Sequence, residues 1–468
     1  MSLRPLPMLF AFALAAPAFA GDMPPVPPQE HPVLGEIAQA MDPAQLQATL
    51  TTLVGFGTRH TLSDTKSDKR GIGAARRWVQ GRFQQLSKDC GGCLEVITPS
   101  QVFSGERMPK EGAEVMDVVA IQKGASDPGR VVVMTAHIDS RVRDVMDAKS
   151  DAPGADDDGS GVAAVLETAR VLSKYKFAAT IVYSVDSGEE QGLFGGKVIA
   201  QYAADHHWDV EADLNDDIVG NSHGQNGVSD DTLVRVFSEG TRALETSKEA
   251  NDRRYHGGEI DSPSRNIARY VQQLGETYIP NWRVMLVYRT DRYGRGGDHT
   301  AFNALGFPAV RLTESHEDFT HQHQDVRTEG GVHYGDVLSG VDFPYLAKVA
   351  ATNAIALAAM AWAPAPPQGV AIASDPAPGL SGGTDTVFDW KPVPGAAGYR
   401  LYWRATTDPR WSQGRYVGPV QHYLLKDVSI DDWFFGVAAI SADGFESPVV
   451  FPGPAGAFIP APAPATGG

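Results

Sequence analysis

Twice in this chain of 468 residues, a nearly unbroken apolar run ends in a short polar, acid-bearing stretch and a helical pattern follows. The first run is Val131 to Ala136. It leads into His137-Ile138-Asp139, then the acids between Gly154 and Gly159, then a helix expected over Gly161 to Tyr175. The second is Thr180 to Val185, followed by Gly188-Glu189-Glu190-Gln191-Gly192 and a helix expected over Leu193 to Tyr202. A strand that is apolar at successive positions must be covered on both faces. Strand, acidic loop and helix, repeated, give the α/β class: a mostly parallel central sheet flanked by helices. Sites in such sheets form at the carboxyl ends of strands, where both acidic stretches fall.

Other segments extend this frame. Ile72 to Leu86 places Ile72, Ala75, Val79 and Phe83 on one helical face, and Val115 to Gln122 reads as a further strand. Leu346 to Trp362 is apolar but contains Lys348, Thr352 and Asn353, which points to a buried helix rather than a membrane span. Residues 363–368, rich in proline and alanine, read as a linker. Beyond it the period changes to two: Phe388 and Trp390 alternate, as do Tyr399, Leu401 and Trp403, and Trp433, Phe435 and Val437. An all-β sandwich is expected over 369–459, with a flexible tail at 460–468.

Net charge is −17 and no basic patch stands out, which argues against a nucleic-acid partner. Residues 1–20 carry Arg4, an apolar core and Ala18-Phe19-Ala20, the pattern of a signal peptide. A secreted or periplasmic protein is therefore expected, with a first mature domain over 21–362 and no membrane span. Cys90 and Cys93 are the only cysteines, and after export a small-loop disulfide is the favoured state.

Five stretches offer metal-ligand atoms: His137 to Asp139, Asp156-Asp157-Asp158, Glu189-Glu190, Asp216-Asp217, and His321 to Asp325. His137 and Asp139 share a face if the strand continues, so Asp139 can hold the second ring nitrogen of a ligating His137. Three adjacent aspartates before a helix repel one another, and the helix terminus offsets only about 1 kcal/mol of that. A divalent cation or two is the simplest reason to gather them. Of Glu189 and Glu190, one can ligate while the other stays free as a base. Histidine with carboxylates and no thiolate suits zinc. Each stretch alone reads as solvated loop; five in this order read as a binuclear metal centre of a hydrolase.

The set resembles the co-catalytic di-zinc exopeptidases of clan MH, of the secreted bacterial leucyl aminopeptidase type (peptidase family 28). The resemblance spans most of Thr58 to Trp362 and rests on Ala136-His137-Ile138-Asp139-Ser140, Gly154-Ala155-Asp156-Asp157-Asp158-Gly159 and Gly188-Glu189-Glu190-Gln191-Gly192-Leu193. It implies two Zn2+ per chain: His137 and Asp217 on one, Glu190 and His321 on the other, and Asp157 bridging, with a cis peptide after it. It implies Glu189 as general base and Asp139 as its companion in catalysis behind His137. His321 rather than His323 follows from the family spacing to an acid, here Asp325. The implied substrates are peptides or proteins with free N-termini. Alternatives are a carboxypeptidase or dipeptidase, for which Arg289, Arg292 and Arg295 supply cations, a glutaminyl cyclase-like enzyme, or a non-catalytic relative. Gly297-Asp298-His299 resembles a further family motif whose serine is replaced here by Gly297. The C-terminal region, with Asp389-Trp390-Lys391-Pro392, resembles a fibronectin type III module, expected to contact a surface or a substrate.

Overall fold

The computed structural model describes residues 26–373 and 384–458. The expected signal peptide at 1–20 and the tail at 460–468 lie outside the described residues.

An eight-stranded sheet forms the centre. Its strands are β1 (Glu95–Ile97), β2 (Val118–Gln122), β3 (Asp127–His137), β4 (Ala179–Asp186), β5 (Asp209–Asp216), β6 (Leu233–Ser238), β7 (Arg283–Val287) and β8 (Ala309–Glu314). Their spatial order is β1-β2-β4-β3-β5-β8-β6-β7. The middle, β4-β3-β5-β8, is parallel, as is β6 with β7. The pairs β1-β2, β2-β4 and β8-β6 are antiparallel. The sheet is therefore mixed, and "mostly parallel" describes only its centre.

Both faces of β3 are covered, and its side chains divide by parity. Val132 and Met134 join the core under the helices Ile72–Asp89, Gly159–Leu172 and Phe343–Trp362. Val131 and Val133 join the opposite core, with Ile199 and Ala203 of the helix Phe194–Asp205 and Phe302 beyond it. The helix Phe343–Trp362 is long and apolar enough to cross a membrane, but 83% of its apolar window is buried inside the protein.

The segment expected as one strand, Val115–Gln122, is broken at Asp117. Residues Ala113–Met116 pair with Ser100–Phe103 in a separate hairpin, while Val118–Gln122 joins the main sheet. The buried Asp117 turns inward, and its Oδ1 accepts the Ser187 N–H at 2.9 Å. A disulfide joins Cys90 to Cys93 in the turn between the Ile72–Asp89 helix and β1.

After Trp362 the chain forms two three-stranded antiparallel sheets, Ala371–Ile372 with Thr386–Asp389 and His422–Leu425, and Gln413–Gly418 with Gly398–Ala405 and Trp433–Ile440. Phe388 and Leu425 of the first share one apolar cluster with Leu401, Val417, Phe435 and Val437 of the second. The expected linker is packed: Ala363, Pro364, Pro366 and Pro367 are buried. A buried ion-pair network joins the two parts. Arg404 Nη2 donates to both oxygens of Asp261 at 2.8 and 2.9 Å, and Arg269 Nη1 donates to Asp261 Oδ1 at 2.8 Å.

Candidate metal centre

The site assembles where strands end. His137 is the last residue of β3, Glu189 and Glu190 follow β4, Asp217 follows β5, and Asp157 precedes the Gly159–Leu172 helix. The three aspartates are separated by backbone hydrogen bonds. Asp158 caps the helix: its Oδ1 accepts the Gly161 N–H at 3.0 Å, and its Oδ2 accepts the His137 N–H at 3.1 Å. Asp156 Oδ1 accepts the Gly220 N–H at 2.6 Å. Asp157, left without such a partner, points to His137 and His323. Its own N–H and that of Asp156 are held by Asp336 Oδ2, at 2.8 and 3.0 Å. The Asp157–Asp158 peptide is cis. Asp216 turns away to Asn353, whose Nδ2 donates to it at 2.8 and 3.0 Å, so Asp217 is the acid of that pair at the site.

Two clusters result: His137 with Asp157 and Asp217, and Asp157 with Glu190 and His323. Asp157 belongs to both. His137 Nε2 lies 3.2 Å from Asp157 Oδ1 and 3.9 Å from Asp217 Oδ1. His323 Nε2 lies 2.9 Å from Asp157 Oδ2 and 3.0 Å from Glu190 Oε1. Those two oxygens are buried and out of line for a hydrogen bond. One imidazole nitrogen and two carboxylate oxygens thus converge at a point that a shared proton or a divalent cation would satisfy. Nitrogen and oxygen donors, with both cysteines bonded elsewhere, fit zinc.

His321 is not part of either cluster. Its Nδ1 sits 3.7 Å from Asp318 Oδ2 and its ring packs on Gly340. His323 has the left-handed backbone, φ 54°, and its ring is the one that reaches Asp157 and Glu190. Spacing to Asp325 could not report that turn. The structure therefore brings His323, and not the expected His321, together with the other four expected ligands.

Asp139 is fully buried behind the site. Its backbone carbonyl, rather than its carboxylate, is the nearer acceptor for His137 Nδ1, at 3.0 Å against 3.5 Å. The carboxylate accepts the backbone N–H groups of Glu189 and Glu190 at 3.3 and 3.2 Å, and the Thr61 hydroxyl at 2.8 Å. It therefore fixes the paired-glutamate turn. Asp298 stands farther back: its Oδ1 accepts the Gly196 N–H at 3.1 Å, and it enters neither cluster.

Sequence reading missed a group of arginines around the site. Fully buried Arg311 on β8 places Nη2 3.0 Å from Asp217 Oδ1 and Nη1 2.8 Å from Asp291 Oδ1. Arg141 Nε donates to Glu190 Oε2 at 2.8 Å. Fully buried Arg59 donates to the carbonyls of Ile138, Pro153 and Gly154 at 2.7, 2.6 and 2.7 Å, tying the His137 and Asp157 loops together. An arginine inside the apolar run of β8 was the available signal for the first of these.

The electrostatics follow from crowding. Burial alone would lower His323, but Glu190 and Asp157 outweigh it and raise the imidazole to about 10. His137 is likewise raised well above its ordinary value, Asp139 and Asp157 outweighing burial. Burial pushes Glu189 well above the carboxylate range; His137 opposes this, while Asp217 and Glu190 add to it. In the chain alone, protons neutralise this crowd of acids; a divalent cation would do the same and displace them.

Comparison with known proteins fits this geometry. The profile of peptidase family M28 matches residues 117–329, a span that contains both clusters. A protein of Pyricularia oryzae described as "Probable zinc metalloprotease" is 43% identical over 430 residues, covering 90% of this chain and 84% of its own. One of Pyrenophora teres f. teres with the same description is 41% identical over 434 residues, covering 92% and 88%. Among solved structures, the LapA aminopeptidase of Legionella pneumophila superposes with a TM-score of 0.50 at 18% identity, covering 73% of this chain and 78% of that one. That likeness concerns the fold. With relatives this similar along nine-tenths of its length, the chain belongs to peptidase family M28 and is a metallopeptidase.

Proposed function

We propose that the protein is a secreted, zinc-dependent aminopeptidase that removes N-terminal residues from peptides, with Glu189 as its proton carrier. The observation that carries this is Asp157 shared between two ligand clusters, with Glu189 beside them and uncommitted to either. Among the described residues the Glu189 carboxylate accepts no hydrogen bond, so it is free to move a proton. His137, Asp157 and Asp217 would hold one zinc, and Asp157, Glu190 and His323 the other. A zinc pair supplies Lewis acidity toward the scissile carbonyl and makes water a nucleophile near neutral pH. Glu189 takes the proton of the attacking water and delivers it to the leaving amine. Asp139 positions Glu189 and Glu190 through their backbone N–H groups.

The carboxypeptidase alternative needs a free cation for a substrate carboxylate. Of the three arginines, Arg292 is engaged by Asp291 and Glu317, both at 3.3 Å, Arg295 lies 3.7 Å from Glu317, and the exposed Arg289 lies over the Tyr293 ring with no ion pair among the described residues. Occupation of Arg292 is what favours the aminopeptidase reading; Arg289 is the cation a carboxypeptidase would use. The C-terminal part expected over 369–459 is proposed as a fibronectin type III-like sandwich, and residues 1–20 as the export signal. Glu189→Gln tests the central role: turnover of aminoacyl substrates is expected to vanish while bound zinc stays, and retained turnover would remove Glu189 from it.

A further inference from the structure

Apart from the metal clusters, the structure contains a second cavity of about 560 Å³. It lies between the N-terminal part of the Ile72–Asp89 helix, the loop after His60 and the Ala113–Met116 strand. Its lining includes Thr61, Leu62, Arg76, Glu114, Met116 and Val118, and none of the metal-cluster residues.

Arg76 is the unusual member. It is 6% exposed, and its guanidinium has few partners. Nε donates to Ser187 Oγ at 3.1 Å, and Nη2 is buried with no acceptor. Among the described residues no carboxylate lies within ion-pair distance of it. The charges of Asp117, Asp139 and Glu114 act on this buried guanidinium, but none of them accepts a hydrogen bond from it, so its planar fork keeps donor capacity for an anion. The cavity is where one can enter. Glu114, also on the lining, is exposed and forms no ion pair among the described residues; the Ser100 hydroxyl donates to its Oε1 at 2.8 Å. One wall thus offers a cation and another an anion, with Leu62, Met116 and Val118 supplying apolar surface.

We propose that this cavity binds a free α-amino acid, its carboxylate on Arg76 and its ammonium on Glu114. The cavity walls touch the supports of the catalytic turn. The Thr61 hydroxyl donates to Asp139 Oδ2 at 2.8 Å, and Asp139 holds the N–H groups of Glu189 and Glu190. Arg76 holds Ser187, two residues before Glu189. An amino acid bound here therefore biases the turn that carries Glu189, so a product of peptide hydrolysis feeds back on the enzyme from outside its active site.

Calorimetric titration of the zinc-loaded enzyme with leucine, N-acetylleucine and leucinamide tests this, alongside leucine inhibition kinetics. Leucine is expected to fill a site beyond the catalytic one and to inhibit with a noncompetitive component. Arg76→Gln should weaken that site for leucine and N-acetylleucine at least about tenfold, the loss expected for a charge-assisted hydrogen bond. Glu114→Gln, on the exposed rim where folding is not at stake, should weaken leucine and leave N-acetylleucine unchanged. Purely competitive inhibition with one leucine per chain overturns the proposal, as does an unchanged second site in Glu114→Gln. Titration reads this site whether or not peptides are cleaved, so failure of the aminopeptidase reading would show separately, as absent turnover.

Discussion

His321 and His323 are both available in one polar loop, and only His323 faces Asp157 and Glu190. His323→Ala is expected to lose one zinc and to lower kcat/KM at least about a hundredfold, whereas His321→Ala keeps its metal; zinc analysis of both variants decides. Arg311 permits a second residue-scale prediction. Replacing it by Leu takes away the cation that bridges Asp217 and Asp291 and leaves Arg292 as their remaining partner, and a loss of about 3 kcal/mol is expected by chemical denaturation. A loss under 1 kcal/mol would mean the pair contributes little. The residues legible in sequence were those whose chemistry is local: His137, the aspartate triplet and the paired glutamates. Which aspartate is free depends on the N–H groups of Gly161, Gly220 and His137 reaching Asp158 and Asp156 from separate segments, which no local pattern contains.

At the scale of elements, the runs that read as strands and helices formed as such because their apolar period matches their covering. Val115–Gln122 failed as one strand because Asp117 interrupts it to hold Ser187, a contact 70 residues away in sequence. The loop after β7 shows how elements are fastened at the site. Burial opposes ionisation of Asp291 and Glu317, but Arg311 and Arg292 outweigh it, with Arg235 adding at Glu317, and hold both near 2, at about 2 each. Their folded pKa values are depressed, so their stabilisation is present above the ordinary carboxylate pKa of about 4 and is lost as pH falls toward 2. Acid titration of stability should therefore steepen between about pH 4 and 2, with on the order of 2–3 kcal/mol attributable to Glu317. In Glu317→Gln that slope should flatten; an unaltered slope would assign the acid transition to other groups.

For the whole molecule, the C-terminal sheets behave as part of the enzyme's body. Arg404, Arg269 and Asp261 are buried across the junction, and the Tyr270 hydroxyl donates to the Glu446 carbonyl at 2.8 Å. Arg404→Ala strands Asp261 with one partner and should cost about 3–5 kcal/mol. A single calorimetric transition is expected in the parent protein, and two separated ones would show that the parts fold independently. The period-two alternation made these strands legible, but their attachment was not, since Arg404 and Asp261 are 143 residues apart. The proposed sharing of two metals through Asp157 is tested by counting zinc per chain while assaying N-free and N-blocked peptides on the same preparation. Two zinc ions, loss of activity on chelation, and cleavage of the N-free peptide only are expected. One zinc per active chain, or equal cleavage of the blocked peptide, would contradict it.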